Sequence, residues 1–399
     1  MSLTAETLER TGLRGEPDWL RDRRRSALAD YERMPAPSKT DEEWRRTDVS
    51  RLKVADYSAI EDRDGLRLDS QGALPAGVIL QPLREAARDH PELVESKLFS
   101  LVRGDRDRFT ALHAAFFTGG TFLYVPDGVV VEQPILGRTI SNEGGNFVLP
   151  HTLIVAGRGS RFHYLDEYIG SDDAKAGYRS GSAEIFLGEG AQVGYVAVQK
   201  WGRNDWHFAD QRAQLQRDST LRLFGVTLGG HFSKTRVEAS LVGPGADAEL
   251  KAIYLASGDQ FYDFHTLQDH QVGNTRSDLL FKGALQDVAR TVYAGLIKIE
   301  KGAARSDAYQ ANRNLVLSDH AKATSIPMLE IDNNDVRCTH GATVGPLDPQ
   351  HMFYLRSRGI PEPTARRMLV QGFFGDVLDR IPFEHARTLV EGELEARLG

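Results

Sequence analysis

The stretch Ala183-Glu184-Ile185-Phe186-Leu187-Gly188-Glu189-Gly190-Ala191-Gln192-Val193-Gly194-Tyr195-Val196-Ala197-Val198 decides the fold. An apolar run ends at Leu187, a turn of small residues follows, and a second β-type run begins at Val193. The same grammar recurs from Thr121 to about Val344, in runs such as Thr121–Val125, Phe147–Val155, Leu221–Val226, Ala248–Leu255 and Thr291–Ile299. Small-residue turns punctuate them: Ala156-Gly157-Arg158-Gly159-Ser160, Val242-Gly243-Pro244-Gly245-Ala246 and Lys301-Gly302-Ala303-Ala304. Several recur at intervals of roughly 20–30 residues, the mark of a stacked repeat. No helical period intervenes, which excludes a βαβ architecture. The pattern predicts a mainly β fold with a parallel, right-handed β-helix core, in which each coil hides its apolar face only by stacking on the next. A β-sandwich would need antiparallel hairpins, and only Asp64-Gly65 and Asp127-Gly128 carry that turn signal.

Helical sequence flanks this core. Residues 1–118 read mostly as helix and loop. One helix is expected from Pro17 to about Arg33, with Arg21-Asp22-Arg23-Arg24-Arg25 as its solvated face, and two more over Pro82–Val94 and Asp107–Phe117. His113 falls at helical spacing with Phe109, Leu112 and Phe116 and reads as a core-edge histidine. After Gly345-Pro346, Asp348 can cap a helix ending near Arg358, and Gly359 with Pro361 can stop it. A second helix, about Pro363 to Arg380, carries two apolar stripes. One is Ala365, Met368, Leu369, Gly372 and Phe373; the other is Val370, Phe374, Val377 and Ile381. Such a helix is either buried in its own domain or docked on a partner. A third runs from about Phe383 to Leu398. The expected parts are therefore 1–118, 119–345 and 346–399.

The 399 residues are 41% hydrophobic and 26% charged, ordinary for a soluble protein with a sizeable core. A net charge of -7 gives no electrostatic case for nucleic acid. One cysteine excludes an internal disulfide and fits a reducing compartment. The first residues lack a secretory pattern and no apolar run is long enough to span a membrane, so a cytoplasmic protein is expected.

That single cysteine lies in Asp335-Val336-Arg337-Cys338-Thr339-His340-Gly341-Ala342-Thr343-Val344-Gly345. Cys338 and His340 are two residues apart and share one face of an extended strand. A thiolate and an imidazole suit iron or zinc, yet two ligands do not close a site. On residue type alone, a small buried thiol and a hydrogen-bonded histidine are the commoner outcome. His265 and His270, five positions apart, would face opposite sides of a strand. No phosphate-cradling loop, C-x-x-C pair, H-E-x-x-H or G-x-S-x-G is present.

From about Asp263 to Ile381 an ordered set of motifs resembles the SufB/SufD family of the SUF iron–sulfur cluster assembly machine. They include Phe281-Lys282-Gly283, Tyr293-Ala294-Gly295, Asp307-Ala308-Tyr309-Gln310-Ala311-Asn312-Arg313-Asn314-Leu315, Pro327-Met328-Leu329-Glu330-Ile331, the Cys338 segment, and Phe353-Tyr354-Leu355-Arg356-Ser357-Arg358-Gly359-Ile360. Glu43-Trp44-Arg45 and Phe122–Val129 extend it more weakly. The Cys338 segment is similar to the SufD version, and the longer N-terminal region and extra cysteines of SufB are missing.

The resemblance implies a non-enzymatic scaffold in a cytosolic complex with SufB and the ATPase SufC. A transient iron–sulfur cluster would form at the SufB interface, with His340 and Cys338 as cluster-assembly and metal-contacting residues. The C-terminal helices would dock SufC, through Phe353, Leu355, Arg358, Gly372, Phe373 and Phe374. It leaves open a homodimer of the isolated chain and reduced flavin in the complex. The competing functions are a β-helix carbohydrate enzyme, which would need a carboxylate cluster in a groove, a thiol enzyme using Cys338 and His340, and the SufB paralogue.

Overall fold

The computed structural model describes residues 3–11, 15–58, 65–70, 72–172 and 175–398; Asp64 of the Asp64-Gly65 turn signal lies outside them. Among the described residues, alternate strands fall into two sheets, one of nine strands and one of ten. From Thr121 onward the strands pair with one another in parallel, and from His151 each joins the next but one in sequence. This is a two-sheet parallel β-solenoid of about eight turns, and the hairpins a sandwich requires do not occur among its described strands.

The turns explain the period. At one corner of the stack a left-handed residue recurs coil after coil, in a column that includes Gly159, Gly190, Asp218, Gly245, Asn274 and Arg305, with φ between 56° and 79°. Glycine, asparagine and aspartate reach this region at least cost. The column is also a hydrogen-bonded ladder. Gly159 N–H donates to Glu189 O (2.8 Å), Gly190 N–H to Arg217 O (2.8 Å), and Asn274 N–H to Ala304 O (2.8 Å). Each turn thus satisfies the backbone of its neighbour and fixes the stacking register. Inside, apolar tiers such as Leu187, Leu215, Leu241 and Leu223, Leu250, Leu279 fill the lumen.

Two strands missed by the sequence reading close the start of the stack. Gly65–Asp69 pairs antiparallel with Ile135–Ser141, and Ile79–Pro82 antiparallel with Thr121–Val125. The expected helix over Pro82–Val94 is two pieces, Leu83–Asp89 and Pro91–Val94, broken where Pro91 follows His90. The helix Arg108–Phe116 is capped by Asp107, whose carboxylate accepts from Phe109 and Thr110 N–H.

The arginine run is a solvated face except at Arg24: Asp22 and Arg25 are exposed, and Arg21 and Arg23 half-buried. Arg24 is 1% exposed. It is bidentate to Glu16 (2.7 and 2.8 Å), donates to Ala115 O and Phe117 O, and stacks on the Phe117 ring. His113 lies deeper than a core edge. Its ring joins Ser180 Oγ (2.9 Å) and His151 Nδ1 (3.0 Å), and His151 Nε2 meets Glu184 (3.0 Å). Glu184 in turn accepts the backbone N–H groups of Phe99, Leu101 and Val102, tying the N-terminal region to the second sheet.

The C-terminal helices Pro349–Ser357, Glu362–Leu378 and Glu384–Leu398 fold back over the outside of the first sheet. Polar contacts pin them at several coils: Arg366 to Leu317 O (2.8 Å), Lys282 Nζ to Phe373 O (2.7 Å), Lys200 Nζ to Glu393 (2.7 Å) and Arg397 to Leu228 O (2.9 Å). No helix among the described residues is long and apolar enough to cross a membrane.

Candidate functional site

Cys338 and His340 lie on Arg337–Gly345, the last strand of the nine-stranded sheet, which pairs on one side only. In the parallel ladder Cys338 stands on Ala308 and His340 on Gln310. Ala308 and Gln310 point into the lumen, so the two candidate ligands do as well. No further coil covers them. The other sheet ends equally open at Lys322–Ile331, where Leu329 and Ile331 face the lumen uncovered. The site is therefore a mouth: an uncapped solenoid end with a thiol, an imidazole and exposed aliphatic side chains, Val344 among them at 48% exposure.

Cys338 is half-buried against Ile297, Ile299 and Ala303. Burial, with the Asp307 carboxylate next, pushes its thiol above the ordinary range. A thiol held protonated is a poor nucleophile, but it becomes a soft ligand once a metal displaces the proton. His340 is exposed at the rim. Behind it Gln310 is fully buried, its amide donating to Gly295 O (3.2 Å) and Met328 O (3.0 Å) and its carbonyl accepting from Tyr293 OH (3.1 Å). Among the described residues no three His, Cys, Asp or Glu side chains are grouped to hold a metal ion. Two donors at an open mouth do not close a metal site, and any further ligands would have to come from outside this chain.

His265 and His270 do face opposite ways. His270 is buried inside on Thr275 and Ser277 (2.7 and 2.8 Å), while His265 lies outside beside Asp263.

The residues expected on a docking surface divide into two groups. Phe353 is 75% exposed, Arg358 and Gly372 are exposed, and Leu355 is half-buried. They do not form one face with Phe374. That ring is 0% exposed, packed with Val370 and Val377 in the seam against the first sheet. The Val370–Ile381 stripe therefore packs in the chain's own core, and Phe374, the one residue of it expected to face a partner, is buried there. Phe373 is half-buried, with Lys282 Nζ 4.7 Å from its ring centre. A groove of about 1010 Å³ opens between Phe353, Met352, Arg366 and the turn Leu317-Ser318-Asp319. Periodicity did not reveal this groove or the aliphatic mouth, because both depend on which coil comes last.

Comparison with known proteins accords with this architecture. The family model for the SUF system FeS cluster assembly SufBD core domain matches residues 139–373, and that for the SufBD N-terminal region matches residues 62–136. The chain is 30% identical to the iron–sulfur cluster assembly protein SufD of Bacillus subtilis, over 96% of this chain and 95% of that one. It is 32% identical to an iron–sulfur cluster assembly SufBD family protein of Mycobacterium tuberculosis, over 93% and 92%. A Synechocystis member of the same family is 27% identical over 87% and 84%. A solenoid ending in an open mouth, matched along nearly its whole length, places the chain in the SufBD family of iron–sulfur cluster assembly proteins.

Proposed function

We propose that this chain is a non-enzymatic scaffold subunit, the SufD-type partner of a cytosolic SUF complex. Its open mouth meets a SufB-type chain, and the nascent cluster forms there as cargo with His340 and Cys338 on this chain's side. The observation that carries the reading is the uncapped last coil. Unpaired strand edges and an aliphatic lumen are a liability unless another chain covers them, and the two metal-capable side chains lie within that uncovered surface. The C-terminal groove beside Phe353 is the proposed seat of the SufC-type ATPase, since it holds the most exposed large apolar side chain among the described residues. The protonated thiol at Cys338 weighs against a thiol enzyme.

The test is anaerobic co-expression of this chain with SufB and SufC, followed by iron and sulfide analysis of the purified complex. His340→Ala should leave assembly and ATPase activity near wild type and sharply reduce cluster content. Cys338→Ser should lower cluster yield more than stability. Full cluster content in His340→Ala would return both residues to a purely structural role.

A further inference from the structure

The outward face of the second sheet changes character across three strands. Along one row the ladder runs Lys234, Asp263, Val292; along the next, Arg236, His265, Ala294; along the third, Glu238, Leu267, Leu296. The segment around Trp44 covers the charged end. The Trp44 ring packs on Phe109 (5.1 Å) with Lys234 Nζ 4.6 Å from its centre, and Thr47 bonds to buried Asp263. The apolar end is uncovered only in part: Val292 and Ala294 are buried, Leu267, Leu296 and Ile326 are half-buried, and Met328 is exposed. The result is a cavity of about 270 Å³ with an aliphatic floor and a polar wall.

The wall has a definite electrostatic sense. Glu43 is neutralised by Arg236 and Arg106, Glu238 by Arg106 and Arg212, and Glu42 by Arg45. Arg46 lines the same cavity and has no ion pair among the described residues. His265 stands at the junction of wall and floor, its Nε2 3.0 Å from Asp263 Oδ1. That buried oxygen makes no aligned hydrogen bond. The glutamates are thus engaged and His265 is held by Asp263, so the Arg46 guanidinium is the cation left to meet a ligand.

We propose that this cavity binds a small amphiphilic organic acid, with a single ring or short acyl chain on the Ala294 floor and its carboxylate against Arg46. The volume of about 270 Å³ falls just below the usual range for ligand sites, which suits a small molecule and is too small for a helix. Guanidinium is a donor-only fork suited to a carboxylate. The site is separate from the mouth at His340 and does not rest on the proposed scaffold role.

Benzoate is the probe, titrated into the full-length chain by calorimetry, with benzyl alcohol and benzylamine as neutral and cationic counterparts. Saturable one-to-one binding of benzoate is expected, at least about tenfold tighter than benzyl alcohol, with none for benzylamine. Ala294→Leu fills the floor and should abolish it. Arg46→Gln, on an exposed side chain, should weaken it about tenfold, or about 1.4 kcal/mol, with an unchanged melting temperature. No saturable benzoate binding, equal binding of benzyl alcohol, or wild-type affinity in Arg46→Gln would overturn the proposal. So would binding that disappears when the chain is in its co-purified complex, since the floor would then be a protein interface.

Discussion

Cys338 and Asp307 lie at diagonal positions on the last two strands of the first sheet, and the carboxylate adds to burial in keeping the thiol protonated. Iodoacetamide should therefore alkylate Cys338 slowly at pH 7, with a rate that rises at higher pH than for a free thiol. Asp307→Asn should move that rise to lower pH without exposing the sulfur. A rate profile identical in the two proteins would show that the neighbouring charge does not reach the thiol.

Phe353 and Phe374 should respond oppositely to the same substitution. Phe374→Asp buries a carboxylate in the helix–sheet seam and should cost more than about 3 kcal/mol, detaching the C-terminal helices or preventing folding. Phe353→Asp lies on the surface and should change stability by less than about 0.5 kcal/mol. Urea denaturation measures both. A SufC pull-down with the folded Phe353→Asp protein then tests the groove, and undiminished capture would remove Phe353 from the docking surface.

Asp166 faces the lumen and accepts from Thr152 Oγ1 (2.6 Å), Tyr168 OH (2.9 Å) and Tyr195 OH (3.1 Å). Burial outweighs these bonds and raises its carboxyl from 3.8 to about 6. Between those values the folded chain holds a proton that the unfolded chain has released, so stability falls as pH rises through this window. The lost amount is at most roughly 3 kcal/mol. Asp166→Asn should flatten this part of the curve and be relatively more stable at pH 7 than at pH 4. Melting temperatures across pH 4–7 with parallel slopes for the two proteins would contradict this.

Arg305 occupies a left-handed turn position that glycine fills in three of the coils before it. Its conformation costs roughly 1–2 kcal/mol for a residue with a Cβ, partly offset by the entropy a glycine loses on folding. Arg305→Gly should therefore stabilise the chain by about 0.5–1 kcal/mol in urea denaturation. A lower midpoint would mean that the arginine side chain makes a contribution exceeding the strain.

The turn column was legible in the sequence because a left-handed corner restricts residue type, so glycine, asparagine and aspartate mark the repeat. The shared face of Cys338 and His340 followed from the two-residue period of a strand. Their direction into an uncovered lumen did not, because it depends on which coil is terminal. Arg24 was misplaced because a run of arginines looks solvated, and only the fold brings Glu16 and the Phe117 ring around it. The two stripes of Glu362–Leu378 were visible, but periodicity cannot say which one meets the sheet. The strands Gly65–Asp69 and Ile79–Pro82 were missed because they are short and owe their existence to the edge they pair with.

The C-terminal helices are attached far from where the chain leaves the stack. Arg366 and Lys282 hold the near end, while Glu393 and Arg397 reach coils closer to the N-terminal cap. A load applied near Phe353 is consequently shared as shear across several rungs instead of unzipping the final one. The same attachment sets a fixed gauge: inserting or deleting a whole rung between Lys200 and Lys282 would preserve strand pairing yet throw the helical strut out of step. Coil number in this chain is therefore constrained from outside the solenoid as well as from within it.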